Sequence, residues 1–318
     1  MATGTTDVQD VTQPSTSAPP SRPIAAPAAV SVPARSLGLS LWRRRQPVAL
    51  AAGRGSLRAA LMPIGVMTLI ALAAPLLATH SSLDITSVGP FHAPSPSYPL
   101  GTDEVGRDIF SRVLYGIRES WLSALGVIVV GATFGALVGA VAGAFGGLLD
   151  MVLMRMTDLF LALPAPVIAI AVIASIGPSL FHTLIALSVV WWPWYARIVR
   201  AEVRAHAARP HADAARLAGV SRARLVLRHL LPAALAPVIV TMSLDVGNLI
   251  LALASLSFIG LGAPPPAPEL GAMSAQGLEY LLAYWWVPIA PAAAAALLAL
   301  VANLLGDRAN RRLNHGRT

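Results

Sequence analysis

Two residue types are missing from this chain of 318 residues. There is no cysteine and no lysine, so all 23 basic residues are arginine. The first absence excludes disulfides, thiol nucleophiles and thiolate metal sites, and it leaves the redox compartment unread. The second excludes a phosphate loop of the Gly-Lys-Ser/Thr type, whose lysine must reach the phosphates. If ATP drives this protein, another chain hydrolyses it. Charge of either sign is also scarce, at 12% of residues, against about 25% in soluble domains. Hydrophobic residues make up 56%. A water-soluble shell of this length would leave large apolar patches exposed, whereas a bilayer removes that difficulty.

The uncharged runs are long enough to cross about 30 Å of hydrocarbon. They are Leu61 to Thr79, Trp121 to Leu149, and Leu159 to Ala196 with a break at Gly177-Pro178-Ser179. Leu230 to Pro268 carries one charge, Asp245, and Tyr280 to Gly306 carries none. The reading is an all-α integral membrane protein with six transmembrane helices. The first helix falls within 56–80, followed by an outer loop over 81–120. A five-helix core spans 121–310 and includes an inner loop over 197–232. Residues 1–55, rich in Ala, Pro, Ser and Thr, read as a disordered tail, and 311–318 as a short second tail. No apolar core follows the first Met closely, so no signal peptide is expected.

Arginine placement sets the orientation. With both termini inside, the inner segments (1–60, a turn over 150–157, 197–228 and 307–318) hold 20 of the 23 arginines, and the outer loops hold Arg107, Arg112 and Arg118. The net charge of +8 then reflects topology, and no nucleic-acid partner is expected. The seven histidines show no ligand clustering, so no metal site is expected, and no other cofactor is implied. No nucleophile–base constellation suggests a catalytic residue.

Gly131, Gly135, Gly139 and Gly143 recur every four residues on one face of the second helix. Such a face lets a neighbouring backbone approach closely, either as ordinary bundle packing or as a sliding contact in a gate. The stretch 107–119 reads as an amphipathic helix lying at the outer interface. Ile109, Phe110, Val113, Leu114 and Ile117 form its apolar face; Arg107, Asp108, Arg112 and Glu119 lie mostly opposite. Two acids fall in or near the spans. Asp158 is one turn from Arg155, which favours a local pair. Asp245 is nearer mid-membrane, where an acid faces a cavity or a partner, and it is the candidate for the solute path.

The inner loop carries the most specific signal. Pro210 suits the first turn of a helix, Gly219 the left-handed position past its end, and Ser221 the N-cap of a second helix. A short helix over 210–218, about 13 Å long, a sharp turn and a second helix are expected. Asp213-Ala214-Ala215, Gly219 and Leu231-Pro232 resemble, at matching spacing, the "EAA" loop of ABC-importer permeases, with Asp in place of Glu. Pro99-Leu100-Gly101-Thr102-Asp103-Glu104-Val105-Gly106-Arg107-Asp108 with Ser111-Arg112 is similar to the signature of the dipeptide/oligopeptide/nickel permease group, the C-type subunits in particular. Leu256-Ser257-Phe258-Ile259-Gly260-Leu261-Gly262 and Asn303-Leu304-Leu305-Gly306-Asp307 fit the same group, although Leu270 stands where relatives often have Trp and Ala252 where many have a carboxylate.

The resemblance covers roughly residues 60–310. It implies a non-catalytic permease subunit in a bacterial inner membrane. The implied partners are a second homologous permease, cytoplasmic ATPase subunits, an extracytoplasmic solute-binding protein and the lipid bilayer. In that family the loop forms the helix that couples to the ATPase, and the solute is a di- or oligopeptide or a related small molecule. The rival is a secondary transporter working through intramembrane carboxylates, in which the Gly219 loop has no role.

Overall fold

A computed structural model describes residues 54–315. The expected N-terminal tail lies almost entirely outside them. Among the described residues every regular element is helical: α1 (Arg54–Leu72), α2 (Ala74–Leu77), α3 (Ile109–Phe145), α4 (Gly147–Ala162), α5 (Ala165–Ile176), α6 (Leu180–Ala207), α7 (Pro210–Leu217), α8 (Arg222–Leu225), α9 (Leu231–Phe258), α10 (Leu270–Gly277) and α11 (Trp286–His315). The last helix therefore runs into the residues expected as a C-terminal tail. By length and composition three helices qualify as membrane spans: α3, the Pro237–Phe258 part of α9 and the Trp286–Arg308 part of α11. A fourth qualifies if α4 and α5 count as one span bent by 93°. The shorter apolar part of α1 is Met62–Leu72, and α6 carries Arg197, Arg200 and Arg204 in its C-terminal half.

The longest helix organises the bundle. At 37 residues, α3 extends about 55 Å, well beyond the hydrocarbon. Three apolar clusters lie along it. Ile109 and Val113 pack with Leu270, Met273 and Val287. Further along, Trp121, Val127 and Ile128 meet Ile173, Leu187, Leu249 and Leu298. At the far end Ala132, Ala136 and Ala140 meet Tyr195, Val199, Val203 and Leu230. Trp121 also donates from Nε1 to Thr68 Oγ1 (3.0 Å), tying α1 to α3.

Three expectations are corrected. The 107–119 stretch is not a separate surface helix: from Ile109 it is the first third of α3. Ile109 and Val113 are buried against α10 and α11 rather than in lipid. The third span does not begin at Leu159 after an inner turn. The chain leaves α3 through Gly146 and Gly147, both at positive φ, and re-enters helix at once as α4. Pro164 then breaks the path, because a residue before proline is driven out of the helical region; Leu163 sits at φ −93°, ψ 143°. Finally, Asp158 pairs with Arg197 of α6 (2.6 Å), across the bundle rather than with Arg155.

Candidate functional site

The loop between α6 and α9 is built as a turn that only glycine makes easily. α7 starts on Pro210, with Arg209 extended before it. It ends at Gly219, whose φ is +79°. Gly219 N–H donates to Arg216 O (3.0 Å), and Val220 N–H reaches back to Ala215 O (3.1 Å). This paired arrangement satisfies the last carbonyls of the helix. A Cβ on Gly219 would meet nothing within 4 Å, so glycine is required here by the backbone alone. Ala212 is fully buried and anchors α7 to the bundle. Asp213 and Leu217, one turn apart, point outward and are 61% and 91% exposed. Asp213 accepts from Arg216 Nη1 (2.5 Å). Ala214 is exposed and Ala215 half-buried.

Ser221 holds the N-cap position of α8, but its hydroxyl makes no capping bond. A five-residue π turn, Val226–Leu230, then joins α8 to α9. Pro232 explains it. Proline lacks the N–H that would bond four residues back, and its ring crowds that carbonyl. A single wide turn, with Leu231 N–H on Val226 O, absorbs the mismatch and lets the helix continue. Leu231 and Pro232 thus mark where the loop re-enters the bundle.

The four glycines of α3 all face α6. A Cβ at Gly135 would lie 2.5 Å from Trp192 O, one at Gly139 would collide with Ala196 O, and one at Gly143 would lie 3.0 Å from Arg200 O; only Gly131 has ordinary room, at 3.6 Å from Trp191. The two backbones touch over three turns. Beyond Gly143, Asp150 at the start of α4 is clasped by two arginines one turn apart on α6. Its Oδ2 accepts from Arg200 Nη2 (2.8 Å) and Arg204 Nη2 (2.6 Å), and Arg200 Nε closes a bidentate pair on Oδ1. This clamp is not visible when 150–157 is read from sequence as an inner turn, because Asp150 instead opens α4. The available signal was Arg200 and Arg204 at helical spacing, with Asp150 the acid of segment 150–157.

Asp245 lies on α9, where Tyr195 of α6, itself fully buried, donates its hydroxyl to Oδ2 (2.8 Å). Thr241, Asp245, Asn248 and Ser255 recur at helical spacing on one face of α9. Asn248 and Ser255 are exposed, and Thr241 and Asp245 are half-buried. Thr241 and Ser255 turn their hydroxyls onto the backbone of the preceding turn, at Pro237 O (3.1 Å) and Leu251 O (2.7 Å).

At the opposite end of α3 from the Gly219 loop, the segment 99–112 forms a buried polar knot. Thr102, Asp103, Asp108, Ser111 and Arg112 are all buried. Asp108 caps α3, accepting from Phe110 N (3.2 Å), Ser111 N (3.1 Å) and Ser111 Oγ (2.6 Å). Asp103 Oδ1 accepts from Val105 N (3.0 Å) and Arg107 N (2.7 Å). Arg112 Nη1 donates to Ser82 O (3.0 Å) and Pro266 O (3.3 Å), with Nε 3.5 Å from Asp103. One side chain thus ties two loops, through Ser82 and Pro266, to α3. The sequence pattern puts Arg112 on the polar face of a surface helix; it is instead buried, 3% exposed. No group of residues able to hold a metal occurs among the described residues.

Comparison with known proteins agrees with this architecture. Residues 135–318 match the family described as the binding-protein-dependent transport system inner membrane component. The "Probable D,D-dipeptide transport system permease protein DdpC" of Escherichia coli K12 is 41% identical over 244 residues, covering 77% of this chain and 82% of its own length. The dipeptide transport system permease protein DppC of Haemophilus influenzae is 36% identical over 248 residues, covering 76% and 84%. Among solved structures, a chain of the MetNI methionine ABC transporter in inward-facing conformations aligns over 64% of this chain and 96% of its own, with a TM-score of 0.50 at 20% identity, a likeness of fold. The chain belongs to the inner-membrane permease components of binding-protein-dependent ABC importers.

Proposed function

We propose that this chain is one of two homologous permease subunits of an importer for di- or oligopeptides or related small solutes. It is not itself catalytic; ATP is hydrolysed by separate subunits that dock on the loop 197–232, and solute arrives from a binding protein on the outer face. The protein sits in the bacterial inner membrane with both termini in the cytoplasm, as the arginine distribution favours. The names of its relatives support the peptide class. The observation that carries the reading is the Gly219 turn. It fixes a short outward-facing helix, with Asp213 and Leu217 presented to a partner, at the junction of α6 and α9.

Force on that helix has a defined route. Ala212 seats α7 on the bundle, α6 is clasped to α4 through Asp150, and α6 lies backbone to backbone on the glycine face of α3. A pull on α7 therefore moves these helices as one body. The Thr241–Asp245–Asn248–Ser255 face of α9 is the favoured lining of the solute path, because exposed polar groups at membrane depth need water or a partner.

Proteoliposomes containing this chain, its partner permease, the ATPases and the binding protein test the reading. ATP-dependent uptake of a labelled dipeptide is expected, with none when the ATPases are omitted. Uptake without ATPases, driven by an ion gradient, would establish the secondary-transporter alternative instead.

A further inference from the structure

Beneath the Gly219 loop, between it and the ends of α3 and α6, lies a pocket of about 180 Å³ lined by Ala144, Phe145, Arg216, Arg222, Leu225 and Leu230, among others. We infer that this pocket binds the phosphate headgroup of an anionic phospholipid. Its lining is amphipathic: two arginines among apolar side chains. Among the described residues no carboxylate pairs with Arg222, while Arg216 shares only the exposed Asp213. From 209 to 229 the chain carries five arginines and that one acid, so the local field favours an anion. Arginine's fork matches phosphate oxygens in pairs, and basic pockets between helices at the membrane edge suit anionic headgroups.

The apolar part of the lining decides between a lipid and a free anion. Phe145, which lines the pocket, is 50% exposed, and Leu148 and Leu149 just after it are 74% and 45% exposed. With this loop at the inner membrane face, as proposed above, such a surface is covered by acyl chains, whereas a free phosphate or a nucleotide would find no polar side chain there besides the arginines. The site is also compatible with ATPase docking. Arg216, one turn from the buried Ala212, reaches the pocket lining, while Leu217 remains 91% exposed. A headgroup held here would brace the underside of the loop whose outer side receives the partner.

The test is retention of lipid. The full-length chain, with whatever subunits co-purify, is placed in phosphatidylcholine nanodiscs doped with phosphatidylglycerol. After release, native mass spectrometry counts the phosphatidylglycerol retained. Wild type should retain it, and Arg216→Gln/Arg222→Gln should retain about tenfold less. Arg222→Gln alone, at an exposed residue, should show most of the loss should the double variant assemble poorly. Arg222→Lys should retain the larger part, and Arg308→Gln, an exposed arginine elsewhere, should match wild type. Equal retention by wild type and the Gln variants would overturn the proposal. So would displacement of the lipid by inorganic phosphate, which would mark a free-anion site. Uptake is not read, so this result stands apart from the importer assignment.

Discussion

Glu269 begins α10 by accepting from Ala272 N (2.8 Å) while fully buried. Burial is the main influence on its carboxyl and pushes its pKa up from the ordinary glutamate value, against weaker opposing hydrogen bonds. The folded state then binds this proton more readily than the unfolded chain. The stability it contributes is fully present below the unfolded pKa and is lost as pH rises through the raised folded value. Glu269→Gln keeps an acceptor for Ala272 and removes the titration. Thermal unfolding in detergent should show the variant gaining on wild type as pH rises; parallel curves would show that burial imposes no such penalty. Asp245 invites a different comparison. Asp245→Leu leaves the buried Tyr195 hydroxyl without its acceptor, at about 1–3 kcal/mol, whereas Asp245→Asn retains an acceptor. Leu should impair uptake or membrane abundance more than Asn, and full tolerance of Leu in both assays would remove Asp245 from the solute path. At this scale, legibility depended on residue type. Gly219 and Pro210 act through their own backbones, so their positions could be read directly. Arg112 could not: a helical wheel assigns every arginine to the solvent side, and only loop carbonyls from 30 and 154 residues away turn it inward.

Between elements, the α3–α6 contact is set by the absence of side chains. Gly139→Leu would drive a side chain into Ala196 O and the neighbouring Val199. Overpacking costs about 1–3 kcal/mol, more against backbone, so a marked drop in melting temperature and in membrane abundance is expected. Gly126→Ala, on the same helix with open space around it, is the control and should be neutral. Equal behaviour of the two variants would contradict the close approach. Asp150→Ala would leave Arg200 and Arg204 side by side without their shared acid, and it should loosen α4 selectively, seen as faster hydrogen exchange in α4 with α9 and α11 unchanged. The four-residue glycine period was legible because it is local to one helix. The α4–α5 break was not. The strongest sequence punctuation lay at Gly177-Pro178-Ser179, while Pro164 and Pro166 are also compatible with a helix start. Their effect as a 93° bend is apparent only once α4 is seen to begin directly after Gly146.

Across the whole molecule, composition identified a membrane bundle, and arginine placement proposed its orientation. The structure adds unequal construction: one helix far longer than the hydrocarbon, one bent pair, and an arginine-bearing α6 that leads into the Gly219 loop. Hydropathy treats spans as equal units, so the extension of α3 by its first third and the knot at its N-terminal end were invisible to it. The proposed coupling element is the glycine-turned helix α7 at the C-terminal ends of α3 and α6, with the buried polar knot at the N-terminal end of α3. The most direct test of this central claim is ATP-driven uptake by Gly219→Val beside Gly219→Ala, with membrane levels of this chain and of the ATPases blotted in parallel. Positive φ is strained by about 1–3 kcal/mol for a residue other than glycine and most for a β-branched one, and neither substitution meets a neighbour. Normal insertion is expected for both, with uptake reduced by Ala and abolished by Val, and with the ATPases released or hydrolysing ATP without transport. Wild-type uptake by Gly219→Val would contradict the claim that this turn couples ATP hydrolysis to solute movement.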